Sequence, residues 1–252
     1  MSTVIPIFKK GTRTLCVNHR GASLLAVAAK VLSGLILRRL TEHRERQIRE
    51  NQAGFRLARG CIDHIFTLRQ ILEQRHCFQQ PTMVVFLDLK AAFDSVDRQA
   101  LWQCLWSKGV PHKFLTLIKA LYANSRGRVH VYGKLSPEFT TSSGVRQGCP
   151  LSPFLFNFVI DTIMEDSLPA SNARGVEVVH GPSLTDIEYA DDIALLGSDP
   201  VVMQTILTNL NKSASRFGMR FTLAKCKVLL QDWMGSNSHI AHSWQRLGDF
   251  QT

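Results

Sequence analysis

Apolar residues recur with a helical period over residues 24–50, a stretch that ends in a charged run, and again over 63–79, where Ile65, Leu68, Ile71 and Leu72 share a face. Both segments are predicted helices. Pro81 punctuates the chain, and TMVVFLDL (82–89) is a continuous β-branched and apolar run of the kind found in a buried central strand, with Asp88 near its end. Asp97 can cap a helix that Gly109 closes, and Pro111 can open another through Tyr122. The turn-rich alternation of SRGRVHVYGKLSPEFTTSSGV (125–145) predicts a hairpin. Ser152 and Pro153 supply the N-cap and first position of a strongly apolar helix, TDIEYADDIALLG (185–197) reads as two short strands around a tight turn, and Asp199-Pro200 starts a helix to about Arg216. Strands and helices are mixed rather than strictly alternating, which predicts an α+β protein whose sheet is covered by helices on one face.

Two acidic positions interrupt this apolar pattern. Asp88 closes one strand, and Asp191-Asp192 sits at the turn between two others. Converging carboxylates at 4 Å repel by roughly 4 kcal/mol per pair at an effective dielectric of 20, so cations must resolve them. Divalent ions with hard oxygen preferences suit such a site, and a pair of Mg²⁺ ions, with Mn²⁺ as the substitute, can clamp an in-line phosphoryl displacement. An isolated Asp-Asp is ordinarily a turn or helix cap. A strand ending in Asp together with a separate strand–Asp-Asp–strand element is far more specific.

The residues around these aspartates carry a resemblance. Tyr189-Ala190-Asp191-Asp192 is similar to the YxDD box of reverse transcriptases, VVFLDLKAAFDSV (84–96) to their first palm motif and GVRQGCPLSP (144–153) to their second. NHRGASLL (18–25) and NQAGFRLARGCIDH (51–64) resemble finger motifs of retroelements lacking long terminal repeats, and FGMRFTLAKCK (217–227) a later palm segment. The ordered series runs from about residue 5 to residue 232. Thr222 replaces a common Asn and Leu57-Ala58 a frequent Pro-Gly.

The resemblance implies a right-hand polymerase with an antiparallel palm sheet. Its segments would be basic fingers over 1–80, palm over 81–109, a fingers/palm connection over 110–150, palm again over 151–232, and an irregular tail over 233–252. Asp88, Asp191 and, less directly, Asp192 would be catalytic metal ligands together with the Leu89 carbonyl, and Lys225 the donor of a proton to leaving pyrophosphate. Phe93 would wall off the sugar 2′ position, and Gln147 and Gly148 would lie against the incoming nucleotide and template. Lys9, Lys10 and Arg20 would meet the triphosphate, and Arg56 would stand near template backbone or in a structural ion pair. The implied partners are an RNA template, a DNA or RNA primer and deoxynucleoside triphosphates. After Asp232 only WMGSNSHIAHSWQRLGDFQT follows, so a thumb is expected to be absent or truncated, with thumb and endonuclease encoded in flanking sequence. The alternatives are a catalytically weak remnant that binds nucleic acid, and an RNA-dependent RNA polymerase, which Phe93 argues against.

Composition agrees with a nucleic-acid partner. The 252 residues carry a net charge of +10, and the first 80 hold 14 Lys and Arg against 5 Asp and Glu, a surplus suited to phosphate neutralisation and counterion release. The apolar stretch Ala22 to Leu37 is interrupted by Lys30 and Ser33, so no membrane span is expected. The N-terminus shows no secretory pattern and the six Cys follow no framework spacing, so an intracellular location, nuclear and/or cytoplasmic, is expected. Cys61 with His64 and His76 with Cys77 lack zinc-site pairing, GRVHVYGKL is not a phosphate loop, and no Gly-x-Ser-x-Gly element is present.

Overall fold

The computed structural model describes residues 2–168, 175–177 and 183–233. The expected irregular tail, apart from Trp233, lies outside the described residues. The chain divides into two units, one comprising residues 1–48 and 93–159, the other 49–92 and 160–252.

In the first unit, β1 (Ser2–Phe8) pairs antiparallel with β2 (His19–Leu24) and parallel with β4 (Arg126–Val131). Sequence patterning did not predict β1 or β2. Pro6 obscures the first of them, and it is tolerated because β4 pairs only Ser2 to Val4, leaving the Pro6 stretch bonded on the β2 side alone. The expected hairpin forms between β4 and β5 (Lys134–Leu135), turning through Tyr132 and Gly133, both at positive φ (49° and 72°), as a type I′ loop requires. A short strand, β6 (Phe139–Thr140), pairs on β4 as well. Helix α1 (Val27–Gln47) buries Ile36 and Leu40. Helix α4 (Arg98–Ser107) is N-capped by Asp97, whose side chain accepts from the Ala100 N–H, and α5 (His112–Tyr122) follows Pro111, both as the sequence indicates. Leu101, Leu105, Ile118, Phe154, Phe156 and Phe158 form the fully buried centre of this unit.

In the second unit, β3 (Thr82–Leu87), β7 (Asp186–Tyr189), β8 (Asp192–Gly197) and β9 (Lys227–Gln231) make a sheet in the order β7-β8-β3-β9, antiparallel throughout. Its helices do not keep to one face. α2 (Cys61–Cys77) brings Ile71, Leu68 and Leu72 onto Val84, Ile187, Ala194 and Leu196, whereas α7 (Pro200–Arg216) places Met203 against Gly197, on the opposite side of the pleat from Leu196. Both pleat faces of β3 and β8 are apolar, so each needs a cover. α6 (Ser152–Ser167) begins in the first unit and ends in the second. It starts at Ser152 itself, whose hydroxyl is 3.1 Å from that of Tyr122. The four-residue helix α3 (Ala92–Ser95) leads from β3 toward α4.

The Leu57-Ala58 pair has a structural consequence. Ala58 takes φ +57°, the left-handed conformation that glycine adopts without steric cost. Ala58→Gly is therefore expected to stabilise the protein by about 1 kcal/mol, read as a higher urea midpoint at constant m.

Candidate active site

The acidic positions come together in the second unit. β3 pairs with β8 through Leu87 and Ile193, so Asp88 and Asp192 stand one residue beyond the last pair, and the Ala190-Asp191 turn lies between Tyr189 and Asp192. Asp88 and Asp191 are partly buried. The carboxyl of Asp192, an exposed residue, is raised from its ordinary value, by partial desolvation first and then by the negative charges of Asp191 and Asp88. The repulsion expected from the sequence is thus present.

Lys225 meets that repulsion directly, its Nζ donating to both Asp88 oxygens at 3.0 and 3.3 Å. It reaches Asp88 from a single helical turn, Leu223–Lys225, that precedes β9. The chain around Asp88 is fixed on this side by an antiparallel bridge between Leu89 and Phe221, in which the Thr222 N–H donates to the Asp88 carbonyl at 2.8 Å and the Lys90 N–H to the Arg220 carbonyl at 2.8 Å. In such a ladder successive residues point their polar groups to opposite sides, so the Leu89 carbonyl turns away from the Phe221 strand. Thr222 makes its contact with Asp88 through its backbone, so that contact does not depend on its side chain. Burial raises the Cys226 thiol, whose sulfur lies 3.5 Å from the Asp88 N–H.

These oxygens fit hard divalent cations in kind, because three carboxylates and a carbonyl are oxygen donors and Lys225 already supplies a cationic partner for one of them. Among the described residues no three His, Cys, Asp or Glu side chains, Asp88, Asp191 and Asp192 included, stand together in an arrangement that could hold a metal ion as they are placed.

A second cluster of predicted residues lies in the first unit. Gln147 donates from Nε2 to Asp94 at 3.0 Å. Burial raises the Asp94 carboxyl, while that hydrogen bond and the positive charges of Lys9 and Arg20 oppose the rise. Arg20 sits on β2 opposite Ile7, and Lys9 follows β1 with its N–H on the Asn18 carbonyl at 2.9 Å. Lys9, Arg20 and Gln147 thus gather around Asp94; Lys10 is exposed on the loop that follows β1. Gly148 has φ +101°, and a Cβ there would lie 2.8 Å from the Ser23 carbonyl oxygen, so glycine is required. The phenyl ring of Phe93 stacks on buried Phe156 at 4.5 Å and 15°. Asp94 was not among the sequence candidates; its position directly after Phe93 in FDS was the available signal.

Arg56 is held against the backbone of the segment that precedes it. Its Nη1 donates to the carbonyls of Arg49 and Gln52 at 2.9 and 2.8 Å.

Sequence reasoning missed a buried ionic group behind the Asp191 turn. Arg49 donates to Asp186 at 2.7 and 2.9 Å and to Glu188 at 2.5 Å, and both carboxyl side chains are inaccessible to solvent. Asn51 and Thr185 also donate to Asp186, and the Arg49 N–H donates to Asp161 at 2.8 Å. Burial, then the charge of Asp186, pushes Glu188 well above the usual range. Burial would raise Asp186 too, but hydrogen bonds from Glu188 and Arg49 and the Arg49 charge bring it below. Arg49 is raised because these carboxylates outweigh its own desolvation. One guanidinium therefore serves two buried carboxyls whose proton affinities are pushed in opposite directions.

An antiparallel sheet thus presents carboxylates at a strand end and at an adjacent hairpin turn, with a lysine on one of them. The reverse transcriptase (RNA-dependent DNA polymerase) family matches residues 7–248, and the chain belongs to it. Among its relatives, the Pol polyprotein of the type-2 retrotransposable element R2DM from Drosophila melanogaster is 28% identical over 210 residues, covering 83% of this chain and 19% of the relative. The transposon TX1 149 kDa protein of Xenopus laevis is 28% identical over 225 residues, covering 88% and 17%. The chain thus spans about a fifth of the length of these relatives. In fold it is similar to telomerase from Candida tropicalis (TM-score 0.59, 12% identity, 84% of this chain and 35% of that one) and from Candida albicans (0.58, 12%, 93% and 42%). Members of this family generally work with divalent metal ions.

Proposed function

We propose that the chain is the fingers and palm of an RNA-directed DNA polymerase of a non-LTR retrotransposon, adding deoxynucleotides to a primer 3′-hydroxyl on an RNA template. The observation that carries this reading is the meeting of Asp88, Asp191 and Asp192 at adjacent strand ends in a chain of the reverse transcriptase family. Asp88, Asp191, the Leu89 carbonyl and, less directly, Asp192 would hold two Mg²⁺ ions, which when bound neutralise the attacking and leaving oxygens of an in-line displacement. The Lys225 ammonium donates to Asp88, which supports a role in holding a proton for the departing pyrophosphate. In the first unit, Lys9 and Arg20 gather beside Asp94, and with Lys10 they form the basic edge suited to a triphosphate.

The test is primer extension on an RNA template with deoxynucleotides and Mg²⁺, run beside Asp191→Asn. Product that depends on Asp191 supports the reading; product equal in both, or none from the wild type, rejects it. The salt dependence of template binding should be steep, because the excess positive charge of the first 80 residues acts on phosphates.

Phe93 gives a separate expectation about sugar choice. Its ring is held rigidly by the stack on Phe156, so it can act as a steric wall. Phe93→Ala should raise ribonucleotide incorporation relative to deoxyribonucleotide by about 10-fold to 100-fold, the range available to a steric pocket. Competition between the two nucleotides checks it, and an unchanged ratio would assign Phe93 to the core alone.

A further inference from the structure

We infer that Gln52 is the positioning residue of the Asp191-Asp192 turn, holding the turn's backbone in the one conformation that presents both carboxylates. The inference rests on the polymerase reading for its consequence, though not for its geometry. Gln52 is fully buried. Its Oε1 accepts from the Ala190 N–H at 2.9 Å and from the Gly54 N–H at 2.8 Å, and its Nε2 donates to Glu188 Oε2 at 3.0 Å. One carboxamide therefore grips the β7–β8 hairpin on both sides of Tyr189.

What it grips is a backbone that would otherwise relax. Ala190 has φ +58°, the first loop position of a two-residue hairpin where glycine is usual, and such a conformation persists only where the surroundings impose it. Asp191 follows directly, so the direction of its carboxylate is set by the Ala190 dihedrals. The chain bearing Gln52 is itself locked to β7: the Glu188 N–H donates to the Asn51 carbonyl at 3.1 Å and the Ala53 N–H to the Glu188 carbonyl at 2.9 Å. Gly54 closes the contact, since a Cβ there would lie 2.2 Å from the Ala190 nitrogen. The glutamine carboxamide accepts the two N–H groups and donates to the carboxyl, and the acceptor half alone is what holds the Ala190 N–H. Removing it leaves the Ala190 N–H buried without its acceptor and frees the turn to move.

The experiment compares wild type with Gln52→Met, which fills the space without hydrogen bonds, Gln52→Asn, which falls short, and Gln52→Glu, which keeps the acceptor for Ala190. Two readouts are taken on folded protein: hydrogen–deuterium exchange across residues 186–195, and Mn²⁺ binding followed by electron paramagnetic resonance, with Asp191→Asn as reference for loss of the site. Gln52→Met and Gln52→Asn should exchange the Ala190 amide faster and bind Mn²⁺ about 10-fold to 100-fold more weakly, as removal of an outer partner of a metal ligand does. Gln52→Glu should stay within about threefold of wild type in Mn²⁺ affinity, far closer than that range. If Gln52→Met does not fold, Gln52→Asn against Gln52→Glu decides. Unchanged exchange at Ala190 overturns the clamp, and faster exchange with unchanged Mn²⁺ affinity overturns its positioning role. A wild type whose Mn²⁺ binding ignores Asp191 instead rejects the polymerase reading, and the exchange data still decide whether Gln52 holds the turn.

Discussion

Replacing Asp88 or Asp191 by Asn should lower template-directed nucleotide addition on the order of a thousandfold or more, about 4 kcal/mol of transition-state stabilisation, with the fold intact. Asparagine keeps shape and one acceptor oxygen but removes the charge that would hold a divalent ion. The fold should tolerate this because the site is electrostatically unfavourable without cations: Asp191 and Asp88 both push the Asp192 carboxyl upward. Asp191→Asn removes one of these repulsions, so its thermal midpoint should equal or exceed that of the wild type in metal-free buffer. Asp88→Asn also weakens the contact with Lys225, but Asp88 is 34% and Lys225 60% exposed, and so open an ion pair contributes little to stability. Extension rates and melting curves measured on the same preparations check both halves. A variant with full activity would remove these carboxylates from the chemistry, and one that lost activity only by unfolding would make them structural.

Much of this site was legible because its chemistry contradicts its surroundings. An aspartate ending an apolar strand and an Asp-Asp pair inside an apolar hairpin are conspicuous against VVFL and IALL, and β3, β7 and β8 lie where the sequence places them. Caps and turn residues placed α4, α5, α7 and the β4–β5 hairpin for equally local reasons. The β1–β2 hairpin was hidden by Pro6 and by strands whose pairing with β4 comes from more than a hundred residues away. The group behind the turn was hidden differently. In TDIEY the alternation about Ile187 assigns Asp186 and Glu188 to a solvent face, the usual meaning of acidic residues in a strand. Residues 49–54 cover that face instead, and no local pattern announces that Arg49 and Gln52 supply the partners. The same segment explains why NQAGF reads as a motif without an evident chemical group: Gln52 and Gly54 serve the turn through its backbone.

Arg49→Met should be the most destabilising substitution of a charged residue in the second unit, costing about 3–5 kcal/mol. Methionine replaces the stem of the side chain but not its charge, leaving Asp186 and Glu188, both 0% exposed, without their common counter-ion. The effect should depend on pH with a definite sign. In the wild type Asp186 is depressed, so its contribution is present above the usual carboxylate range and is lost on acidification; Glu188 is raised, so its contribution is present at low pH and is lost as pH rises through its elevated value. Without the guanidinium both carboxyls favour the protonated form in the folded state. The variant therefore recovers part of its stability as pH falls toward the ordinary carboxylate range, and its deficit is larger at pH 8 than at pH 5. Exposed pairs give the contrast: Arg69, 74% exposed beside Glu73, should leave stability nearly unchanged at both pH values when replaced by Ala. Urea denaturation at the two pH values, with m held constant, measures all of these. A deficit under about 1 kcal/mol, or one that does not change with pH, would mean that water or a neighbouring group compensates the two buried carboxyls and that Arg49 is not what holds them.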